Sequence, residues 1–276
     1  MEMIKLIALD LDGTLLDSQK RLSPRNEQAL LACMQRGIEI VPCTGRIWNG
    51  VPDVIRNLPG IHYAITVNGA VLEDVSRHQV LDERKLSCEQ ALEILELANG
   101  FNTMYDVYIG GQGYGELRFM EHMDRYGIAP VLQEMVRKTR KAVESVPEEV
   151  KRIHMPVEKI NYFFNDQDER LRARKALEAR GDVLVSSSFR NNLEINAKGA
   201  AKGEGILRLA AHLGLKPEQT MGFGDGENDL SMMKMAGIGV AMSNGEESVK
   251  QAADYVTDTN DADGVAKAIE KFVLQA

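Results

Sequence analysis

Acidic side chains at two distant places in the sequence are candidate ligands of one metal ion. Asp10 and Asp12 are separated by one leucine in Asp10-Leu11-Asp12-Gly13-Thr14, and Asp225 lies far along the chain in an equally acidic segment. Carboxylate oxygens are the ligands that Mg²⁺ prefers in proteins. Asp and Gly are also common turn residues, so a plain turn is the alternative interpretation of the first segment alone. We predict that Asp225 completes a metal site with Asp10 and Asp12.

Two other segments have the chemistry of a phosphate site. In Thr44-Gly45-Arg46, a hydroxyl stands beside a glycine that lets backbone N–H groups approach a ligand. Lys202 is predicted near the start of a helix, where a cation opposes the helix dipole unless an anion is bound there. The alternative interpretations are a simple loop and a solvated lysine.

Two asparagines also follow predicted strands. Asn68 precedes a glycine, and it could contact a substrate or only turn the chain. Asn228 and Asp229 stand just before a predicted helix, where either could serve as its N-cap. The residues alone leave both alternatives open.

Other catalytic signatures are missing from the sequence. Gly111, Gly113 and Gly115 lack the strand, helix and distant acid of a dinucleotide-binding loop, so we interpret them as a mobile loop. The five histidines are scattered, which is not typical of a zinc site or of a histidine-based triad.

The candidate residues follow short apolar runs that alternate with helix signals. Ser23 and Pro24 have the pattern of a helix start and Gly37 of its exit. Strands alternating with helices predict an α/β fold with a Rossmann-like parallel sheet, whose ligands bind beyond the carboxyl ends of the strands. The predicted strands are Ile4–Leu9, Ile38–Val41, Tyr63–Val67, Thr220–Phe223 and Ile238–Met242.

The middle of the chain differs in charge from its flanks. Residues 84–192 carry 17 basic and 17 acidic side chains, so the whole net charge of -8 belongs to the flanks. A capping box at Ser87–Gln90 predicts a helix, and Ile160–Phe164 and Val183–Ser186 are strand-like. We predict a core domain of residues 1–83 and 193–276 and an inserted α+β cap domain of residues 84–192.

Composition narrows the class of protein. The chain has 276 residues, 44% of them hydrophobic, which is enough for one large or two medium globular domains. Its negative charge argues against nucleic acid or anionic membrane as a partner, and neither a signal peptide nor a membrane helix is predicted. Three widely spaced cysteines are typical of a reducing cytoplasm.

Together, these motifs resemble those of the haloacid dehalogenase-like hydrolases, and within them the Cof-type sugar phosphatases. The likeness rests on residues 10–14, Thr44-Gly45-Arg46, Lys202 and residues 224–229, supported by residues 68–70, 240–244 and 263–264. The inserted segment matches the cap of that family only in length and position.

The resemblance implies a mechanism and a role for each candidate residue. Asp10 would attack phosphorus and form an aspartyl-phosphate, and Asp12 would act as general acid and base. Mg²⁺ would be held by Asp10, Asp225 and the Asp12 backbone carbonyl, with Asp229 at the metal or orienting Lys202 or a water. The expected phosphate- or substrate-binding residues are Leu11, Thr44, Gly45, Arg46, Asn68, Lys202 and Asn228.

The expected activity is Mg²⁺-dependent hydrolysis of small phosphorylated metabolites, such as sugar phosphates, by a monomer or weak homodimer. Asp12 favours this reaction over that of a dehalogenase, which does not need the acid. The alternatives are a phosphomutase of the same superfamily and a non-catalytic module that binds a phosphorylated metabolite.

Overall fold

The computed structural model describes residues 3–275, which form two compact units. The core unit combines the chain up to Glu83 with the chain from Ala201 onwards, and the inserted unit is Arg84–Ala200. The sequence placed the end of the insertion at residue 192, and this boundary is wrong. Strand Asn192–Ala197 pairs with two strands of the inserted unit, so it belongs to that unit.

The first part of the core unit confirms the predicted strand–helix–strand order. The helix that follows the first strand begins after Ser23, whose side chain accepts a hydrogen bond from the backbone N–H of Asn26. The elements are β1 (Leu6–Leu9), α1 (Pro24–Gln35), β2 (Glu39–Pro42), α2 (Asp53–Arg56), β3 (Tyr63–Thr66), β4 (Val71–Asp74) and β5 (Gln79–Glu83).

The inserted unit mixes helices with short strands. The predicted capping box of Ser87 and Gln90 is present at the start of its first helix. The elements are α3 (Cys88–Leu97), β6 (Met104–Ile109), β7 (Gln112–Glu116), α4 (Leu117–Met120), α5 (Pro130–Thr139), β8 (Arg140–Val143), α6 (Val146–Ile153), β9 (Val157–Phe163), α7 (Gln167–Glu178), β10 (Val183–Ser186) and β11 (Asn192–Ala197).

The chain then returns to the core unit. The elements are α8 (Lys202–His212), β12 (Thr220–Gly224), α9 (Leu230–Met235), β13 (Ile238–Ala241), α10 (Glu247–Ala252), β14 (Tyr255–Val256) and α11 (Gly264–Ile269), which continues into a π-helical turn at Glu270–Leu274. Among the helices of residues 3–275, none is long and apolar enough to cross a membrane.

The core is built on a five-stranded parallel sheet. Its strand order is β14-β13-β12-β1-β2, and all of its strand pairs are parallel. All four residues of β1 are buried, as expected for a central strand covered on both faces. The pairing of Leu9 with Phe223 brings the ends of β1 and β12 together. This sheet and the inserted α+β unit confirm the predicted fold class.

One predicted strand lies outside the parallel sheet. β3 belongs to a separate antiparallel sheet of order β3-β4-β5, and an isolated parallel bridge joins Ile65 to Cys43 after β2. The apolar run at Tyr63–Val67 predicted a strand but not its partner, because periodicity carries no information on pairing.

The inserted unit contains a six-stranded sheet of order β10-β11-β9-β6-β7-β8. Helices α3, α6 and α7 pack against its apolar residues, such as Val107, Ile160 and Ile195. The glycines interpreted as a mobile loop lie in a hairpin instead. Gly113 and Gly115 pair with Tyr108 and Asp106 across β6 and β7.

Candidate active site

The loops after β1 and β12 meet through Asp225. Gly13 has a φ of +86°, and a Cβ there would lie 2.4 Å from the Asp225 carboxylate. Thr14 Oγ1 donates a 2.7 Å hydrogen bond to Asp225 Oδ1. On the other side, the Asn244 side chain donates to the Gly13 carbonyl oxygen at 2.8 Å. Because Gly13 has no side chain, the loop after β1 can approach the Asp225 carboxylate of the loop after β12.

Three carboxylates and one lysine form the centre of the site. Oxygen atoms of Asp10, Asp225 and Asp229 all lie within 4.8 Å of one another. The fully buried Lys202 places its Nζ 2.6 Å from Asp10 Oδ1 and 2.6 Å from Asp229 Oδ1. Lys202 starts α8, as predicted, and these two carboxylates balance its charge against the helix dipole.

The charges in this group favour a bound cation. Burial raises the pKa of Asp10 well above its usual value, and repulsion from Asp229 and Asp225 raises this pKa further. The attraction of Lys202 lowers the pKa but does not offset these effects. Burial and Asp229 also raise the pKa of Asp225 to about 6. Asp10 and Asp229 raise the pKa of Lys202 well above its usual value, against the opposing effect of burial. When ionised, the four groups have two excess negative charges on oxygen donors, which suits Mg²⁺.

Asp229 has both carboxylate oxygens engaged. Oδ1 faces Lys202, and Oδ2 accepts hydrogen bonds from the backbone N–H groups of Asp225 at 2.9 Å and Gly226 at 3.0 Å. The Asp229 side chain therefore binds the backbone of its own loop, and it makes no capping hydrogen bond to helix α9, which follows. These contacts favour a role in orienting Lys202, which the sequence left open.

Asp12 lies apart from the three-carboxylate group. Its carboxylate accepts two hydrogen bonds from Arg46, at 2.8 and 2.9 Å, and forms an ion pair with Lys20 at 2.7 Å. Burial raises the pKa of Asp12, but Arg46 and Lys20 outweigh burial and hold it below its usual value. Of the four acids expected at the metal, the structure brings together the carboxylates of Asp10, Asp225 and Asp229, whereas the Asp12 carboxylate contacts Arg46 and Lys20.

The phosphate-site candidates after β2 are held by the turn after β3. Thr44 is buried, and its hydroxyl oxygen accepts from the backbone N–H of Arg46 at 3.2 Å. Backbone N–H groups of Val67 and Asn68 donate to the carbonyl oxygens of Arg46 and Thr44, at 2.9 and 3.0 Å. Gly45 is therefore enclosed in a fixed turn.

The remaining candidates approach this turn from other segments. Asn228 Nδ2 donates to Asn68 Oδ1 at 3.3 Å, which connects the β12 loop to the turn after β3. The side chain of Leu11 is fully buried in the core, so only its backbone is suited to binding a ligand.

Three residues of the site were not among the candidates predicted from the sequence. Thr14 donates a hydrogen bond to Asp225, and Asn244 donates one to Gly13. Both residues lie in segments on which the family resemblance rests, so the motifs contained a signal for them. Lys20 had none, because nothing in its neighbourhood predicts an ion pair with Asp12.

The carboxyl edge of a parallel sheet thus carries a buried lysine and three carboxylates that could hold a metal ion. The family model described as haloacid dehalogenase-like hydrolase matches residues 7–269. This chain belongs to that family, and the identification made from its motifs is confirmed.

Phosphatases are among the proteins most similar to this chain. Phosphatase YwpJ of Bacillus subtilis is 35% identical and covers 98% of this chain and 100% of its own length. The 5-amino-6-(5-phospho-D-ribitylamino)uracil phosphatase YcsE of the same organism is 30% identical, with 98% and 96% covered. The solved structure of the subclass IIB sugar phosphatase BT4131 has a TM-score of 0.80 at 26% identity, with 97% and 98% covered. The enzyme class expected from the sequence, a phosphoric monoester hydrolase, is the class of these relatives.

Proposed function

We propose that this protein is a Mg²⁺-dependent phosphatase that hydrolyses small phosphorylated metabolites through an aspartyl-phosphate on Asp10. The observation that carries the proposal is the position of Asp10, which contacts Lys202 and shares a carboxylate group with Asp225 and Asp229. The names of the relatives support the reaction class, and their different substrates leave the individual metabolite open.

Asp10, Asp225 and the backbone carbonyl of Asp12 would hold the metal ion, with Asp229 beside them. When bound, Mg²⁺ supplies positive charge that lets an anionic nucleophile approach an anionic phosphoryl group. The excess negative charge of the carboxylate group is the reason these residues fit a divalent cation.

Asp10 is the nucleophile of the proposed mechanism. Its carboxylate attacks phosphorus, the bond to the leaving alcohol breaks, and water later hydrolyses the acyl phosphate to regenerate Asp10. Lys202 stays protonated between Asp10 and Asp229, because both carboxylates stabilise the ammonium form. Its charge stabilises the phosphoryl oxygens as negative charge builds up on them. Thr44 and Gly45 would bind the same oxygens.

Asp12 is the proposed acid and base. As an anion held by Arg46 and Lys20, it is ready to take a proton from the attacking water in the second step. In the first step Asp12 donates to the leaving alcohol a proton that it has taken up from solvent, and it is then the anion that serves as base in the second step. The first step requires Asp12 to separate from Arg46 and Lys20, since both cations favour the anion.

We further propose that the inserted unit selects the substrate, and that the enzyme works in the cytoplasm. The free thiols of the three cysteines support a reducing compartment. A monomer or weak homodimer remains our prediction for its oligomeric state.

The proposed function is tested by phosphate release from p-nitrophenyl phosphate. We expect turnover that requires Mg²⁺, stops with EDTA and falls by about 10³-fold or more in Asp10→Asn, because the amide is not a nucleophile. The matched control is Asp53→Asn, on an exposed helix, which should keep full activity. Turnover that persists in Asp10→Asn or without metal would refute the assignment. If a sugar phosphate is supplied instead, its isomerisation without release of inorganic phosphate would indicate a phosphomutase.

A further inference from the structure

The turn after β3 has an unusual backbone. Val67, Asn68 and Gly69 have φ angles of +51°, +62° and +101°, so three successive residues lie in the left-handed region. This region is costly for residues that have a side chain, and most of all for a β-branched residue such as Val67. Strained turns of this kind persist only where neighbouring contacts hold them, and they are frequent at functional sites.

The strained turn holds part of the proposed phosphate site. The backbone N–H groups of Val67 and Asn68 donate to the carbonyl oxygens of Arg46 and Thr44, at 2.9 and 3.0 Å. A turn with ordinary φ angles would direct these N–H groups elsewhere. The left-handed conformation of the turn therefore fixes the position of the Thr44-Gly45-Arg46 segment.

Helix α8 packs directly against the strained turn through a glycine. A Cβ on Gly205 would lie 2.8 Å from the Ile65 side chain and 3.4 Å from the Cα of Gly69. Because Gly205 has no side chain, the backbone of α8 can approach both the end of β3 and the turn that follows it.

Arg208 of the same helix binds the turn and an adjacent strand. Its Nη2 donates a 2.5 Å hydrogen bond to the carbonyl oxygen of Gly69, and its Nε lies 2.7 Å from Asp82 Oδ2 in β5. A guanidinium presents several N–H groups in one plane, so it can bind a carbonyl and a carboxylate at once. Arg208 thus fixes the turn to α8 and β5 through hydrogen bonding that its charge strengthens.

The same helix carries the lysine of the proposed phosphate site. Lys202 begins α8, and Gly205 and Arg208 follow it at intervals of three residues, so the three lie on neighbouring positions of the helix surface. Lys202 contacts Asp10 and Asp229, whereas Arg208 contacts the strained turn. Helix α8 therefore connects the ammonium group to the turn that holds Thr44-Gly45-Arg46.

We propose that Arg208 is a positioning residue of the phosphate site. It holds the strained turn after β3, and through this turn it holds the Thr44-Gly45-Arg46 segment at a fixed distance from Lys202. Arg208 acts through the turn and not on the phosphoryl group itself. The inference rests on the proposed function, because it assigns Arg208 to the phosphate site of that mechanism.

The role of Arg208 predicts that phosphate binding and metal binding respond differently to its loss. Without Arg208 the strained turn relaxes, and the Thr44-Gly45-Arg46 segment loses its fixed position. Asp225 is held separately, by the hydroxyl of Thr14 and by its contact with Gly13. The carboxylate group should therefore keep its affinity for Mg²⁺.

The test compares Arg208→Met with the wild type by calorimetry, with Mg²⁺ alone and with inorganic phosphate in the presence of Mg²⁺. We expect the dissociation constant of phosphate to rise about tenfold, a factor that one hydrogen bond to a charged group can account for. The dissociation constant of Mg²⁺ should not change. With p-nitrophenyl phosphate, KM should rise while kcat stays nearly constant, because binding to ground state and transition state is weakened alike.

The matched control is Arg25→Met in α1. It breaks an Arg–Glu ion pair with Glu270 in the core unit, at 2.7 Å, and should leave both affinities unchanged.

A second variant keeps the inference testable if Arg208→Met does not fold. Asp82→Asn removes a partly exposed carboxylate that orients the guanidinium of Arg208 and leaves the turn itself intact. Phosphate affinity should fall about twofold or more, as for the loss of a partly exposed ion pair, with Mg²⁺ affinity unchanged.

Two results would overturn the inference. One is a folded Arg208→Met protein that binds phosphate as tightly as the wild type. The other is a parallel loss of phosphate and Mg²⁺ affinity, which would indicate a general loosening of the core unit.

Hydrolysis of p-nitrophenyl phosphate by the wild type separates this inference from the proposed function. If the wild type hydrolyses this ester but Arg208→Met leaves phosphate affinity unchanged, the proposed function stands and the inference fails. If the wild type binds phosphate without hydrolysing the ester, the proposed function fails, and the phosphate affinity of Arg208→Met still decides the inference.

Discussion

Lys202 is the residue on which the electrostatics of the site depend. It is fully buried, and it lies between Asp10 and Asp229 at 2.6 Å from each. A buried charge is tolerated when it is paired and hydrogen-bonded, and removal of one partner leaves the others uncompensated. The lysine therefore supports both the folded core and the proposed binding of the phosphoryl group.

We expect Lys202→Met to have two effects, one on stability in metal-free buffer and one on phosphate inhibition in the presence of Mg²⁺. The free energy of unfolding should fall by about 3 kcal/mol, because Asp10 and Asp229 then repel each other without a cation between them. Inhibition of the enzyme by inorganic phosphate should weaken at least tenfold. Urea unfolding and inhibition kinetics measure the two effects. The control is Lys234→Met on the exposed side of α9, and unchanged phosphate inhibition would place Lys202 outside the binding site.

At the scale of elements, the loop after β1 sets the geometry of the carboxylate group. Gly13 adopts a φ that L-residues rarely take, and its Cα faces Asp225 with no room for a side chain. Asn244, which follows β13, fixes the carbonyl of the same glycine. The ends of three neighbouring strands are thus joined at one residue.

Gly13→Ala should disturb both the stability and the metal site. The left-handed conformation alone costs about 1–2 kcal/mol for alanine, and the new Cβ would push the Asp225 carboxylate away. Gly37→Ala is the matched control, since Gly37 has a φ of +72° but no atom within 4 Å of the added Cβ. Both variants should lose stability in urea, but Mg²⁺ affinity should fall only in Gly13→Ala. Equal Mg²⁺ affinities would contradict the close contact with Asp225.

At the scale of the molecule, metal binding should be linked to the folding of the core unit. Asp10 and Asp225–Asp229 come from segments more than two hundred residues apart, so the carboxylate group exists only in the folded chain. A ligand that binds only the folded state stabilises it by mass action.

Mg²⁺ at about 100 times its dissociation constant should therefore add about 2.7 kcal/mol to the free energy of unfolding. Thermal unfolding with Mg²⁺ or with EDTA measures this difference. Asp225→Asn should reduce it strongly, whereas Asp53→Asn, which lies in an exposed ion pair, should not. A melting temperature that is independent of Mg²⁺ in the unsubstituted protein would argue against the metal site.

Local pattern was enough for much of the fold and for the identity of the candidate residues. The helix after Ser23, the capping box at Ser87 and the buried strands before Asp10 and Asp225 were all predictable. Each of these features depends on residues a few positions apart, and the short motifs carry the family likeness by themselves.

Only the tertiary structure decided how distant residues pair. It turned the Asp12 carboxylate towards Arg46 and Lys20, brought Asp229 to Lys202, and assigned Asn192–Ala197 to the inserted sheet. Sequence periodicity reports which face of an element is buried, but not which charged or polar group it meets there. Those partners are chosen by strand order and loop closure across the whole chain, and they determine the charge of the site.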